Sequence, residues 1–309
     1  MADSAAPSLL IGQPFGRQAV EAHRLEQTWV LALIFVACIG CATPTNVVSS
    51  ANAANPRLLQ TIDLQEGLHL RAVGPGAYEI THELPWPANS LLVEMADRTL
   101  VLVGTPYTPE ATRRLLDWAR SRYGERRIVA VNNGFHVDNL GGNSALRDAN
   151  IPVYGSDLTV RLLHERGEKT RQHILEMIGN RAAPDYAVHA RIPYVPPDHV
   201  FPITRGLVLK FGTEEVQVIY PGPSQAPDKV AVFFPSRGLL YGGCMILSGN
   251  KVGNIADADL ESWPRAVRTL AELPATVVIP GHGDRLDPNL IQNTLDVLTR
   301  ANETESGPK

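Results

Sequence analysis

The sequence predicts an α/β (α+β) fold in which two sheets of mostly antiparallel strands carry helices on their outer faces. Three observations carry this. Short apolar runs broken by turn residues recur between 58 and 105 and again between 207 and 241, which is the grammar of antiparallel strands. Strand-like and helix-like segments alternate between those two blocks. Each block is followed by an amphipathic stretch able to cover one face of a sheet.

In the first block, strands are expected at 68–73, 77–80, 90–95 and 99–103, with Pro75-Gly76 and Ala96-Asp97-Arg98 as the reversals. A helix follows from Thr108, whose hydroxyl can cap it, with Pro109 in its first turn. Leu115, Leu116, Trp118 and Ala119 form its apolar face, and Gly124 ends it. The run 127–131 then enters a polar turn carrying His136 and Asp138, and Gly141-Gly142-Asn143 opens a helical segment near 144–149. A strand at 151–154 and a helix at 157–163 come next. Residues 165–200 read as a long, polar, partly helical insertion, expected to pack over a functional site because loops of this length in compact domains usually serve one. Strands at 207–211, 216–220, 230–234 and 238–241 form the second block. A helix at 259–273 with Pro264 near its first turn, a strand at 276–279 and a helix at 288–298 close the chain.

Composition bounds the function. The 309 residues, 44% hydrophobic and 19% charged, suit an ordinary globular chain. A net charge of -4 with no dense run of Lys or Arg argues against a nucleic-acid partner. The apolar stretch from Trp29 to Gly40 follows Arg17 and Arg24 and ends in small residues. Residues 1–41 therefore read as an export signal and 42–55 as a flexible tether, leaving 56–309 as the folded domain. Cys38 and Cys41 both stand at lipobox-like endings, so a lipidated cysteine could anchor the chain to a membrane, while Ala51-Asn-Ala53 offers a simple peptidase site. The expected location is the periplasm or the outer membrane, and the expected state a monomer. Of the three cysteines only Cys244 would then remain, a lone thiol that metal ligation as thiolate would protect.

Three turns, each at the end of an apolar run, deliver one candidate donor: Asp138 after 127–131, Cys244 in Gly242-Gly243-Cys244, and His282 in Pro280-Gly281-His282. One oxygen, one sulfur and one nitrogen donor, with a coordination position left over, is how a catalytic zinc is held. The other histidines, 69, 82, 164, 173, 189 and 199, show no ligand spacing and are expected to be solvent-facing or locally bonded.

The ordered motifs H-V-D-N-L-G-G-N from His136, Y-P-G-P-S-Q-A-P-D from Tyr220, G-G-C-M-I from Gly242, G-N-I-A-D-A-D from Gly253 and P-G-H-G from Pro280 resemble those of the metallo-β-lactamases, from about Leu91 to the C terminus. That resemblance implies an αββα sandwich with zinc at one edge and hydrolysis of the amide of a β-lactam, the small-molecule substrate. It also implies two metal sites in the broad-spectrum subclass, one of three histidines and one of Asp, Cys and His. Here Gly134 stands at the first histidine position and Gln225 at the third, leaving His136 and Gln225 as a vestige of that site. Asp138, Cys244 and His282 are all present, as in the single-zinc, carbapenem-selective subclass.

One tightly held Zn2+ with a weak or absent second ion is therefore expected, and Gly134→His with Gln225→His should restore the second. His136 becomes a candidate general base, with Asp138 as the other group able to activate water. Asn254 resembles the residue that polarises the lactam carbonyl. Leu247 replaces a lysine that pairs with the substrate carboxylate, a role Lys251 could take. The same departures keep two alternatives open: a hydrolase of another cyclic amide or ester, and a catalytically idle zinc-binding protein.

Overall fold

A computed structural model describes residues 61–305 of the chain. The export signal and tether expected at 1–41 and 42–55 lie outside the described residues. Strands β1 (Thr61–Asp63), β2 (Leu68–Gly74), β3 (Ala77–Glu83), β4 (Pro87–Glu94) and β5 (Leu100–Val103) form the antiparallel meander expected of the first block. Three parallel strands extend it: β6 (Ile128–Val131), β7 (Val153–Ser156) and β8 (His199–Phe201). Helix α1 (Pro109–Tyr123) connects β5 to β6. The short helices α2 (Val137–Leu140) and α3 (Asn143–Asp148) connect β6 to β7. Helices α4 (Asp157–Ile178) and α5 (Pro184–His189) precede β8. Parallel neighbours need such crossovers, because a tight turn can only reverse the chain.

The second sheet has the order β13-β12-β11-β10-β9. Strands β9 (Leu207–Phe211), β10 (Glu214–Ile219), β11 (Ala231–Phe234) and β12 (Leu239–Gly243) are antiparallel, and β13 (Val277–Pro280) joins β12 in parallel after helix α6 (Trp263–Ala271). Helix α7 (Leu290–Glu305) follows.

Side-chain alternation turns these strands into layers. Successive residues of a strand point to opposite faces, so in β5 Val101 and Val103 face the second sheet while Leu100 and Leu102 face α1. The core between the sheets joins Leu91, Val93 and Val131 to Val216, Val232, Phe234 and Ile279. Outside the first sheet, Leu92 and Ala130 meet Leu115 and Ala119 of α1. Outside the second, Phe233, Leu240 and Val278 meet Trp263 and Leu270 of α6 and Leu290 and Leu298 of α7. Strands covered on both faces need continuous apolar runs, which is why L-V-L-V and A-V-F-F contain no polar residue. Truncating one of these buried leucines to alanine would cost about 2–5 kcal/mol. The layers are helix, sheet, sheet, helix.

Differences from expectation are local. The separate helix at 157–163 and the partly helical insertion are one 22-residue helix, α4, capped by Ser156 at its start and ended by Gly179. Leu162, Leu163 and Leu175 are buried along it, so one apolar stripe continues past the polar stretch. Asp138 lies inside the single turn of α2 rather than in an open loop, and Asn143 begins α3. Among the described residues no helix is long and apolar enough to cross a membrane.

Candidate metal centre

The ends of β6, β12 and β13 meet at one edge of the sandwich and bring Asp138, Cys244 and His282 together. The Asp138 Oδ2 to Cys244 Sγ distance is 3.0 Å, Cys244 Sγ to His282 Nε2 is 3.6 Å, and His282 Nε2 to Asp138 Oδ2 is 3.4 Å. A tetrahedral zinc with donors at about 2.0–2.3 Å sets those donors about 3.3–3.8 Å apart. The two longer edges fall in that range, and the thiol's hydrogen bond to the carboxylate draws in the shortest. The donor set fits zinc in chemistry and in spacing. Among the described residues this is the one group of three such side chains placed to hold an ion.

Each donor is held from behind. His282 Nδ1 lies 2.7 Å from the Pro87 carbonyl, which fixes Nε2 as the nitrogen facing the site. Asn89 on β4 accepts nothing from that loop but donates through Nδ2 to the carbonyls of Pro280 and Gly283, and its backbone N–H donates to Gly281. Asp138 Oδ1 accepts from Asn139 Nδ2 at 2.6 Å, leaving Oδ2 for the centre. Gly281 permits the two loops to approach: a Cβ there would lie 2.5 Å from the Cys244 backbone nitrogen and 2.7 Å from its sulfur.

Electrostatics follow from this crowding. Burial favours a neutral Asp138, but the hydrogen bond to His282 and the charges of Lys229 and His282 outweigh it and hold the carboxyl far below its usual range. Desolvation works against a charged His282, yet Cys244 and Asp138 raise its pKa well above the ordinary value. In the metal-free protein that imidazole keeps a proton that an incoming ion must displace.

The centre lies at the foot of a cleft of about 520 Å³, with Trp86, Tyr107, Ile174, Met177 and Leu247 among its walls. The α4 insertion forms part of that wall, as its length suggested. His136, Gln225, Lys251 and Asn254 also line the cleft. Gln225 donates from Nε2 to the Asn254 carbonyl at 3.0 Å, so it braces the 254 loop, while its Oε1 is buried without a partner. Asn254 Oδ1 accepts from Ala256 and faces His173 Nε2 at 3.3 Å, which leaves its NH2 as the donor for a ligand. Asn143 braces rather than caps, bonding Asn132 and the Val195 carbonyl.

Sequence reasoning did not single out three neighbours. Asp257, in the motif from Gly253, lies 3.1 Å from His136 Nε2 and 3.1 Å from Arg166 on α4. The hydrogen bond from His136 outweighs burial and lowers the Asp257 pKa to about 2, so the carboxylate is ionised near neutrality. Lys229 is fully buried, with no hydrogen-bond partner for its Nζ among the described residues. Burial opposes its charge, but Cys244, Asp138, Asp228 and Asp257 outweigh that and raise its pKa. Of the histidines expected to be solvent-facing or locally bonded, His82 and His189 are instead buried and bonded at long range, to the Tyr107 backbone N–H and the Leu84 carbonyl, and His189 lines the cleft.

The sequence profile of the metallo-beta-lactamase superfamily matches residues 84–282, a span containing all three donors. The chain belongs to that superfamily. It is 27% identical over 226 residues to the type 2 metallo-beta-lactamase of Bacteroides fragilis, covering 72% of this chain and 79% of that one. It is 26% identical over 263 residues to that of Pseudomonas aeruginosa, covering 84% and 90%. Among solved structures, the metallo-beta-lactamase from Pontibacter korlensis superposes with a TM-score of 0.63 at 28% identity, covering 75% of this chain and 99% of that one. The superfamily binds zinc, and the metallo-beta-lactamase homologues suggest a hydrolase. The αββα sandwich expected from the motifs is the fold observed.

Proposed function

We propose that the protein hydrolyses the amide bond of β-lactams with one zinc ion held by Asp138, Cys244 and His282, and that carbapenems are its best substrates. The observation that carries this reading is the donor triangle at the foot of a cleft able to take a small molecule. Zinc there would supply a Lewis acid that stabilises the amide nitrogen as the ring opens.

The chain's own residues supply the rest. His136 lines the cleft, and Asp257 accepts from its Nε2–H, which leaves the lone pair on Nδ1 to take a proton from water. Asp257 also stabilises the imidazolium that results, as a buried carboxylate does behind a catalytic histidine. Asn254 offers its NH2 to the lactam carbonyl, where negative charge develops. Trp86, Ile174 and Met177 give the cleft apolar surface that a bound substrate would cover. Lys251, on the cleft rim, is the cation placed to meet a substrate carboxylate.

Purified protein assayed against penicillins, cephalosporins and carbapenems across a zinc titration tests this. Turnover of carbapenems above the other classes is the expected result. No β-lactam turnover at any zinc concentration, with zinc still bound, would reject it in favour of an idle zinc-binding homologue. Leu247 in the cleft wall gives a specific reason to include cyclic esters and non-β-lactam amides in the same panel. The protein is further proposed to be exported, as a lipoprotein through Cys38 or Cys41 or in soluble periplasmic form. Mass spectrometry finding an unprocessed Met1 in the cytoplasm would sink that.

A further inference from the structure

The space beside Gly134 is filled. A Cβ built on Gly134 would lie 2.9 Å from both Cδ and Nζ of Lys229 and 3.1 Å from its Cε, closer than real Cβ contacts. Lys229 is fully buried, and its ammonium reaches this point without a hydrogen-bond partner among the described residues. A buried ammonium without hydrogen bonds is costly unless neighbouring charges hold it. Asp138, Cys244, Asp228 and Asp257 are the acidic groups whose charges act on it. The lysine lies four residues after Gln225 and two before β11, and the Val230 N–H between them donates to the Asn133 carbonyl, tying that segment to the residue before Gly134. Two departures from the family motifs therefore fall near one buried cation. Residue 134 has no side chain, residue 225 has a neutral amide turned toward the 254 loop, and residue 229 brings in a cation.

The geometry points to Lys229 as a built-in cation that takes the place of a second metal ion, by filling the space a ligand at 134 needs and by bringing positive charge to that point. This rests on the single-zinc reading of Asp138, Cys244 and His282. Volume and charge act in the same direction. A histidine at 134 enters only if the lysine side chain moves out of its way, and an ion between His136 and Gln225 would meet a like charge in a poorly solvated place, where such repulsion is strong. On this account the missing histidines alone do not set the metal content, and putting them back is not enough.

Three proteins decide the matter: the wild type, Gly134→His with Gln225→His, and the same pair with Lys229→Asn. Each is dialysed, analysed for zinc and titrated with zinc against a chromophoric chelator. The expected result is about one tight ion in the first two and about two in the third, with second-ion affinity in the third at least roughly tenfold above that of the histidine pair alone. A histidine pair that takes up a second ion as tightly with Lys229 as without it overturns the proposal. So does a triple variant that binds no more zinc than the pair. If Lys229→Asn does not fold, Lys229→Met removes the charge and leaves a flexible thioether. Second-ion affinity in the histidine pair must then rise with Lys229→Met, and an unchanged affinity counts against the proposal.

A second measurement needs no metal. Gly134→Ala should lower the melting temperature of the metal-stripped protein when Lys229 is present and lower it less beside Lys229→Asn or Lys229→Met. Equal losses in all backgrounds would show that the lysine does not fill the space. Should the wild type hold no zinc, the reading of the three donors fails, and this unfolding cycle still judges Lys229 separately.

Discussion

Replacing Asp257 by asparagine should slow turnover while leaving the metal in place. The two side chains in question are 9% and 16% exposed and meet at 3.1 Å, so their hydrogen bond is little screened by solvent. Asparagine keeps the size and one oxygen but removes the charge. A hydrogen bond to a charged group contributes about 1.5–3 kcal/mol. If that difference is expressed as His136 gains its proton, the conversion of about 1.4 kcal/mol per tenfold gives a fall in kcat of roughly 10- to 150-fold. KM should change little, because Asp257 sits behind the histidine. Steady-state kinetics on the best substrate, with zinc analysis and a thermal melt of the same preparation, make the measurement. Wild-type turnover in Asp257→Asn would refute His136 as the base. Loss of zinc together with activity would show instead that His136 is a ligand, since Asp257 touches none of Asp138, Cys244 or His282. Arg166→Ala should do less, because Arg166 is 42% exposed and screened.

Cys244→Ser should leave less than one tightly held zinc per chain after dialysis, because a serine hydroxyl is a far weaker donor than thiolate; elemental analysis reads this directly. The pH dependence has a definite sign. His282 has a raised folded pKa in the metal-free protein, so the stability it adds is complete below the unfolded value of about 6.5 and falls away as pH rises through the folded one. Zinc must displace the same proton, so its affinity should rise with pH over that window. Chelator competition from mildly acid to mildly alkaline buffer checks it, and a flat profile would mean that His282 is already unprotonated.

The strands, the capped helix α1 and the donor triangle were readable in the sequence because each announces itself locally. Asp138, Cys244 and His282 stand in glycine-flanked turns at the ends of apolar runs, and three such turns on one sandwich edge meet wherever the strands order themselves as β6, β12 and β13 do. The full length of α4 was hidden because its exposed positions dominate the stretch after Leu163, and only Gly167, Thr170 and Leu175 are buried there. Asp257 could be seen as part of a motif, but nothing in its spacing says that its partner lies 121 residues earlier.

Lys229 was hidden for a deeper reason. A lysine beginning an apolar strand reads as a solvated end, and a glycine in a polar turn reads as a ligand that was lost. Taken position by position, Gly134 and Gln225 look like erosion of a site. Packing couples Gly134 to Lys229, since the Cβ that glycine lacks would meet the lysine's Cδ and Nζ at 2.9 Å, and on the proposal above the ammonium carries part of the charge a second ion would bring. On the proposal of one metal and one lysine, Gly134→His alone should lower the melting temperature of the metal-stripped protein before it recruits an ion.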